Sequence, residues 1–257
     1  MSPRAFLLCE LDAWSEAGGH ARFWWRDDDL GEPTPQLDPL LRVAANLEIE
    51  PMLAVVPRWA SPNLPKILQG FPARVAVHGW AHVDHQQGAG KKTEFGDARP
   101  VEILAEEARA GRERLVDLFG DDLLACFVPP WNRMVADLAK ALPAAGYHAV
   151  SVFGSRPATE AVPGLNWVNT HVDVIDWRGN RRFIGSDALA ETVTRELHRR
   201  RTASDENREP IGLLTHHLEM DPDDWEDFRG VCDILVTHPA ARMLSSSALF
   251  RKCGAYE

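Results

Sequence analysis

Short apolar runs and amphipathic segments alternate about seven times along this chain, and that alternation narrows the available folds more than any other feature. Residues 23–25, 52–56, 75–78, 123–128, 149–153, 165–168 and 211–215 have the length and apolar composition of buried strands. Between them, Leu37, Leu40, Leu41 and Ala44 recur at helical spacing, as do Val101, Leu104, Ala105, Ala108, Leu115 and Phe119. Residues 135–145, stopped by Gly146, and residues 187–201 predict further helices. Trp225, Phe228, Val231, Cys232 and Leu235 mark the last substantial one. Ser61-Pro62 reads as an N-cap with proline at the first helical position, opening a short helix to Leu68, and residues 242–244 predict one more strand. Strands separated by helices pair in parallel, so the chain is α/β, and either an open doubly wound sheet or a barrel satisfies the pattern. Residues 88–100 read as a surface excursion and residues 201–210 as a charged loop.

No internal repeat or linker breaks this alternation, and 257 residues suit one large domain spanning 1–257. A net charge of -10 opposes non-specific binding to nucleic acid or anionic membrane. The apolar run at residues 5–8 is too short for a signal-peptide core, and Glu10 and Asp12 follow it; nothing reaches membrane-span length. The expectation is a cytoplasmic protein. Its cysteines are widely spaced, with no C-x-x-C pair, and Cys126 and Cys232 read as small core residues. There is no G-x-G-x-x-G and no phosphate loop.

The polar residues cluster where strands end. Asp27, Asp28 and Asp29 follow the apolar Phe23, Trp24 and Trp25 directly, after Arg26. Three adjacent carboxylates repel one another, so folding alone gives no reason to stack them there. A bound cation gives one; a solvated acidic turn is the alternative. His78, His82 and His85 follow the third strand. Pro129, Pro130, Trp131, Asn132 and Arg133 follow the fourth, Asp173, Asp176 and Trp177 a later one, and His216 and His217 the strand at Leu213. In a parallel sheet or barrel these ends share one face, where such folds build their sites. His78-Gly79-Trp80-Ala81-His82 lacks the glutamate of H-E-x-x-H, which removes the zincin reading. One aspartate and two histidines nonetheless make a three-ligand site with a position left for water. A neighbouring carboxylate could serve as base, and His216, held by Asp176, as acid. Trp131 and Trp177 could wall the pocket.

In this order the residues resemble the polysaccharide deacetylase family, the NodB-homology carbohydrate esterases (carbohydrate esterase family 4-like). The resemblance covers most of the chain and rests on motif order. It implies a single-domain deformed (β/α) barrel with about seven parallel strands. It also implies metal-dependent removal of acyl groups, usually acetyl from N-acetylated sugars, with zinc or a similar ion. An Arg-x-Asp-Asp-apolar branch of the family matches Arg26 to Leu30, which makes Asp28 the base and Asp29 a ligand; the other register uses Asp27 and Asp28. His78 and His82 match the H-x-x-x-H motif. The third motif, Arg-x-Pro-Pro-aromatic, has Val128 in place of its base-orienting arginine, so Arg26 or Arg133 must substitute or the activity is altered. Residues 173–177 and 213–216 resemble the fourth and fifth motifs, with His217 an alternative to His216.

The resulting expectation is a metal-dependent hydrolase of an N-acylated sugar or other small amide or ester. Asp28 and His216 are its catalytic pair, and Asp29, His78 and His82 hold a divalent metal, foremost zinc. Trp131, Arg133 and Trp177 contact a small-molecule or oligosaccharide substrate, and Arg26, Asp27 and Asp176 support the site. With no secretion signal, a small acylated sugar, non-peptide amide or ring imide suits better than a cell-wall polymer. The alternative is a carbohydrate-binding or scaffold protein on the same barrel, motivated by Val128.

Overall fold

A computed structural model describes residues 1–203 and 209–250. Its strands are β1 (Ala21–Leu30), β2 (Met52–Val55), β3 (Arg74–His78), β4 (Leu123–Val128), β5 (Ala149–Val150), β6 (Glu160–Val162), β7 (Leu165–Trp167), β8 (Val172–Asp173), β9 (Ile211–Thr215) and β10 (Ala241–Met243). Its helices are α1 (Pro3–Glu16), α2 (Leu37–Asn46), α3 (Leu64–Leu68), α4 (Val101–Phe119), α5 (Ala136–Ala141), α6 (Ser186–Thr202), α7 (Pro222–Thr237) and α8 (Ser246–Leu249). The sheet order is β6-β7-β5-β4-β3-β2-β1-β9-β8, with β10 also on β1, and every pairing is parallel except β6–β7. The sheet curls because one stretch serves both its ends. Residues 165–173 pair first with β5, through β7, and then with β9, through β8. Thr170 joins the two, its N–H bonded to the Val152 carbonyl. This settles the choice between open sheet and barrel in favour of a deformed barrel.

Strand periodicity divides the core into two. Trp24, Met52, Ala54, Ala76, Cys126, Val128 and Ala149 point inward and fill the barrel. Phe23, Trp25, Leu53, Val55, Val75, Val77, Phe127 and Val150 point outward, under the helices. Trp25, for example, packs on Trp225 and Phe228 of α7. Gly212 is required inside, because a Cβ there would come within 2.6 Å of the Trp24 indole nitrogen and 2.7 Å of the Asn169 carbonyl. Phe250, just after α8, packs edge-on against Trp24 from the end opposite the strand C-termini. Cys126 and Cys232 are buried, and burial drives both thiol pKa values up.

Several local expectations shift. The amino-terminal run belongs to α1, whose Leu7, Leu11 and Trp14 are buried and whose Trp14 indole N–H bonds to the Leu197 carbonyl of α6. Ser61 does not open α3: the helix begins at Leu64, and Ser61 Oγ accepts from the Asn63 N–H instead. The helix expected over residues 135–145 is shorter, ending at Ala141 before a turn closed by Gly146 at φ +87. The excursion at residues 88–100 is not all surface: Thr93, Glu94 and Phe95 are buried, with Phe95 edge-on to Phe127. The charged loop expected at residues 201–210 lies partly outside the described residues. No described helix is long and apolar enough to cross a membrane.

Candidate active site

The three aspartates at the end of β1 have three different environments, and backbone geometry is the reason. Asp27 follows Trp25 on the outer face. There its Oδ2 accepts from the Thr215 hydroxyl at 2.6 Å and its Oδ1 meets His217 Nδ1 at 2.5 Å. Thr215 in turn accepts from the Trp25 indole N–H. Asp28 follows Trp24 and Arg26 on the inner face. Simple alternation would send Asp29 outward again. Instead the β1–β2 ladder shifts: Asp27 pairs with Leu53 and Leu30 with Val55, so β1 carries one more residue than β2 over that step. Asp29 absorbs the bulge at φ +71, a left-handed conformation that non-glycine residues rarely adopt. The kink brings its carboxylate into reach of the loop after β3.

The end of β3 and that loop supply one imidazole each. His78 lies two residues beyond inward-facing Ala76, and its Nδ1 donates to the Val128 carbonyl at 3.0 Å. A carbonyl can only accept, so Nε2 is the nitrogen left to face the site. Nε2 of His78 and Nε2 of His82 lie 3.1 and 3.2 Å from the same Asp29 oxygen, and the donor atoms of all three residues fall within 4.8 Å of one another. Burial would raise the Asp29 pKa, but hydrogen bonds and charge from the two histidines outweigh it and hold the carboxyl well below its usual range. Burial likewise lowers His78, yet Asp28 and Asp29 together raise it. The donor set suits a divalent cation: an ionised carboxylate and two imidazole nitrogens converge, and the bond to Val128 orients one ring as ligating histidines commonly are. Glu94 builds the turn between the histidines. Its carboxylate accepts from the Trp80 N–H at 3.1 Å and the Ala81 N–H at 2.7 Å, and Gly79, at φ +61, has no space for a Cβ beside Glu94 and Pro130.

Beside this triangle, Arg26 holds Asp28. Its Nε lies 2.9 Å from Oδ1, and its Nη2 donates to Oδ2 at 3.0 Å. The same guanidinium donates to Ser151 Oγ after β5 and Asn132 Oδ1 after β4. Between the Arg26 and Arg133 alternatives the structure selects Arg26; Val128 is simply buried barrel core. Arg133 is exposed and donates to the Lys92 carbonyl. His216 Nε2 is 4.0 Å from Asp28 Oδ2, with the Trp177 ring edge-on at 4.7 Å. His217 faces the opposite side, on Asp27. Asp176 does not hold His216, contrary to expectation: it is exposed and its Oδ1 accepts from the Gly179 N–H within its own turn. Asp173 stands there instead. Its Oδ2 accepts from the Trp177 indole N–H at 2.8 Å, and burial raises its pKa against the opposing charge of nearby His216.

Trp131 packs against His82 at a tilt of 49°, ring centroids 4.3 Å apart, from a left-handed turn at φ 55. Glu94, Ser151 and Asn132 are the site residues that sequence reading missed. Only Asn132, beside the Pro-Pro pair, carried a signal; Glu94 and Ser151 are common residue types in unremarkable surroundings. Trp59 was missed too, and its ring centroid lies 5.9 Å from that of His82.

No family model matches the sequence, and no curated protein does. Solved structures do match. A Mycobacterium smegmatis protein assigned as a polysaccharide deacetylase superimposes with a TM-score of 0.70 at 14% identity, over 90% of this chain and 89% of that one. A family 4 carbohydrate esterase from Streptomyces lividans, in complex with acetate, gives 0.55 at 15% identity over 91% and 96%. A CE4 family pseudoenzyme from Bacillus anthracis gives 0.57 at 13% identity over 91% and 66%. Inward-facing side chains at the strand ends, on a barrel shared with these proteins over nine-tenths of its length, mean that the chain has the NodB-like fold of the polysaccharide deacetylases and CE4 esterases.

Proposed function

We propose that this protein is a metal-dependent hydrolase that removes an acyl group, foremost acetyl, from an N-acylated sugar or another small amide or ester. The observation that carries the reading is the pairing of Asp28 and His216 across 4.0 Å inside the barrel mouth, next to the Asp29–His78–His82 triangle. A base and an acid beside a metal-ligand set is what hydrolysis of an acyl bond requires.

Asp29, His78 and His82 would hold a divalent ion, which would supply Lewis acidity at the acyl group; for one carboxylate and two imidazoles, zinc is the first choice. The remaining chemistry belongs to the chain. Asp28 takes a proton from water as the water oxygen bonds to the acyl carbon. Arg26 fixes the Asp28 carboxylate with two contacts, which keeps one lone pair aimed at the water. As the C–N or C–O bond breaks, the departing atom takes a proton from His216. Asp173 and Trp177 hold the acid's side of the cleft. The backbone at Trp131 borders the developing oxyanion. The products are a carboxylic acid and an amine or alcohol.

The substrate is a small acylated molecule or short oligosaccharide, with no role for nucleic acid or membrane, and the protein acts in the cytoplasm. The alternative is a carbohydrate-binding or scaffold protein on the same barrel, for which Val128 in an arginine's position speaks; the contact of Arg26 with Asp28 favours the hydrolase. The test is acetate release from a panel of N-acetylated sugars, amides and esters by zinc-loaded protein, with Asp28→Asn and His82→Ala alongside. Activity in the wild type that both variants lose supports the reading. Variants that match wild type on a substrate that is turned over would sink it.

A further inference from the structure

We infer that Trp59, on the turn after β2, is a specificity-determining residue that lays a ring of the substrate flat against its indole. The inference rests on the hydrolase reading for what is bound there, and on separate geometry for the platform itself. Trp59 is 43% exposed, an unusual state for a tryptophan, yet its mounting is rigid. The single turn Pro57–Trp59 is clamped from three sides. Arg114 of α4 donates from Nε to the Pro57 carbonyl at 2.6 Å and from Nη2 to the Ala60 carbonyl at 3.2 Å. The Arg58 N–H donates to the Trp80 carbonyl, between the two histidines. Gly31, after β1, lies so close that a Cβ there would come within 2.7 Å of the Trp59 Cβ, and its carbonyl accepts from the Ser61 N–H. An exposed indole on a turn whose backbone is fixed by these contacts leaves a flat, preorganised face for a ligand to cover.

Its position specifies what it meets. Trp59 approaches His82, at the metal-ligand end of the site, whereas Trp177, 39% exposed, approaches His216 at the acid end. The reacting bond sits between them. Trp177 faces the departing group, so the ring on Trp59 flanks the scissile bond on the His82 side. The ligand class is a ring with an apolar face, such as the C–H face of a pyranose, and an acyclic amide would leave Trp59 bare.

The test uses the full chain loaded with zinc in an Asp28→Asn background, which stops turnover if the hydrolase reading holds, with thermal unfolding confirming that the background protein is folded. Triacetylchitotriose is titrated by calorimetry into that protein and into versions also carrying Trp59→Ala or Trp59→Phe, with zinc content measured for each. The expected result is binding that weakens about 5- to 10-fold in Trp59→Ala and recovers to within about threefold in Trp59→Phe, at unchanged zinc content. Equal affinity with and without the indole, loss of zinc in Trp59→Ala, or no trisaccharide binding in the parent protein would each overturn the platform. Trp59-dependent binding by a wild-type protein that releases no acetate would uphold the platform and count against the hydrolase reading alone.

Discussion

Arg26 grips Asp28 two positions along the same strand, Nε to Oδ1 at 2.9 Å and Nη2 to Oδ2 at 3.0 Å, with both side chains almost fully withdrawn from water. The guanidinium is planar and offers a fork of donors, so it orients the carboxylate as well as neutralising it. Arg26→Lys keeps the charge and loses the fork. It should fold, retain metal and lose at least about 10-fold in kcat/KM, a positional effect. Arg26→Met leaves a buried carboxylate unpaired and should cost about 3–5 kcal/mol of stability. Denaturant unfolding and metal analysis of both variants separate the two effects. An Arg26→Lys protein with wild-type turnover would show that Asp28 needs no such orientation.

The three aspartates should separate experimentally. Asp29→Asn should lose stoichiometric metal. Asp28→Asn should keep metal while activity falls about 10²- to 10⁴-fold, the usual contribution of a general base, and it should lose stability because Arg26 is left buried without its counter-charge. Asp27→Asn should keep metal but lose about 1.5–3 kcal/mol, because its charge-assisted bonds to Thr215 and His217 are buried. Metal loss in Asp28→Asn with retention in Asp29→Asn would favour the other register, with Asp27 as base and Asp28 as ligand.

Glu94 touches no proposed reactant, yet its carboxylate ties down the backbone between His78 and His82. Glu94→Ala leaves two backbone N–H groups without that partner, and metal affinity should drop about 10- to 100-fold, as for other groups that position ligands. Zinc competition with a chromophoric chelator measures this directly. Affinity unchanged within error would mean that the loop is rigid without Glu94.

His171 governs one part of the acid sensitivity. Its Nδ1 accepts from the Gly212 N–H at 3.1 Å, so its Nε2 carries the proton toward Glu209 Oε1 at 3.0 Å. Burial pushes its pKa below the ordinary 6.5, against the pull of Glu209. The unfolded chain therefore binds this proton more readily than the folded one. The contribution to stability is complete above about pH 6.5 and is lost as pH falls through and below that value. Raised pKa values at His78 and His217 act in the opposite sense, so the informative quantity is a difference. Between pH 8 and pH 5.5, wild type should lose more unfolding free energy than His171→Gln does. Parallel losses would mean that His171 does not titrate on unfolding in this range.

Much of the scaffold was legible in the sequence. β4 and β9 match the apolar runs at residues 123–128 and 211–215, and α4 begins and ends where its apolar spacing does, because a buried strand or an amphipathic helix must write its period into the chain. Elements defined by their neighbours were not legible. β8 is two residues long and exists because β9 lies beside it, and α1 has the buried i, i+4, i+7 set Leu7, Leu11 and Trp14 under a sequence whose apolar character is otherwise diffuse.

The same division runs through the site. From sequence alone came the residue types, their order and their location at strand ends: an arginine with three aspartates, two histidines four apart, and a histidine pair after the strand at Leu213. Where each aspartate points was decided only in three dimensions. Pleating sends Asp27 outward to His217 and Asp28 inward to Arg26 and His216, and a single bulged residue at φ +71 turns Asp29 toward His78 and His82. A one-residue irregularity in pairing with β2 leaves no mark in composition or periodicity, because it is set by the neighbouring strand rather than by the aspartates themselves. The sequence left Arg26 and Arg133 open as partners of Asp28, and the choice was likewise made in three dimensions, where Arg26 reaches Asp28 and Asn132 while Arg133 turns to the Lys92 carbonyl.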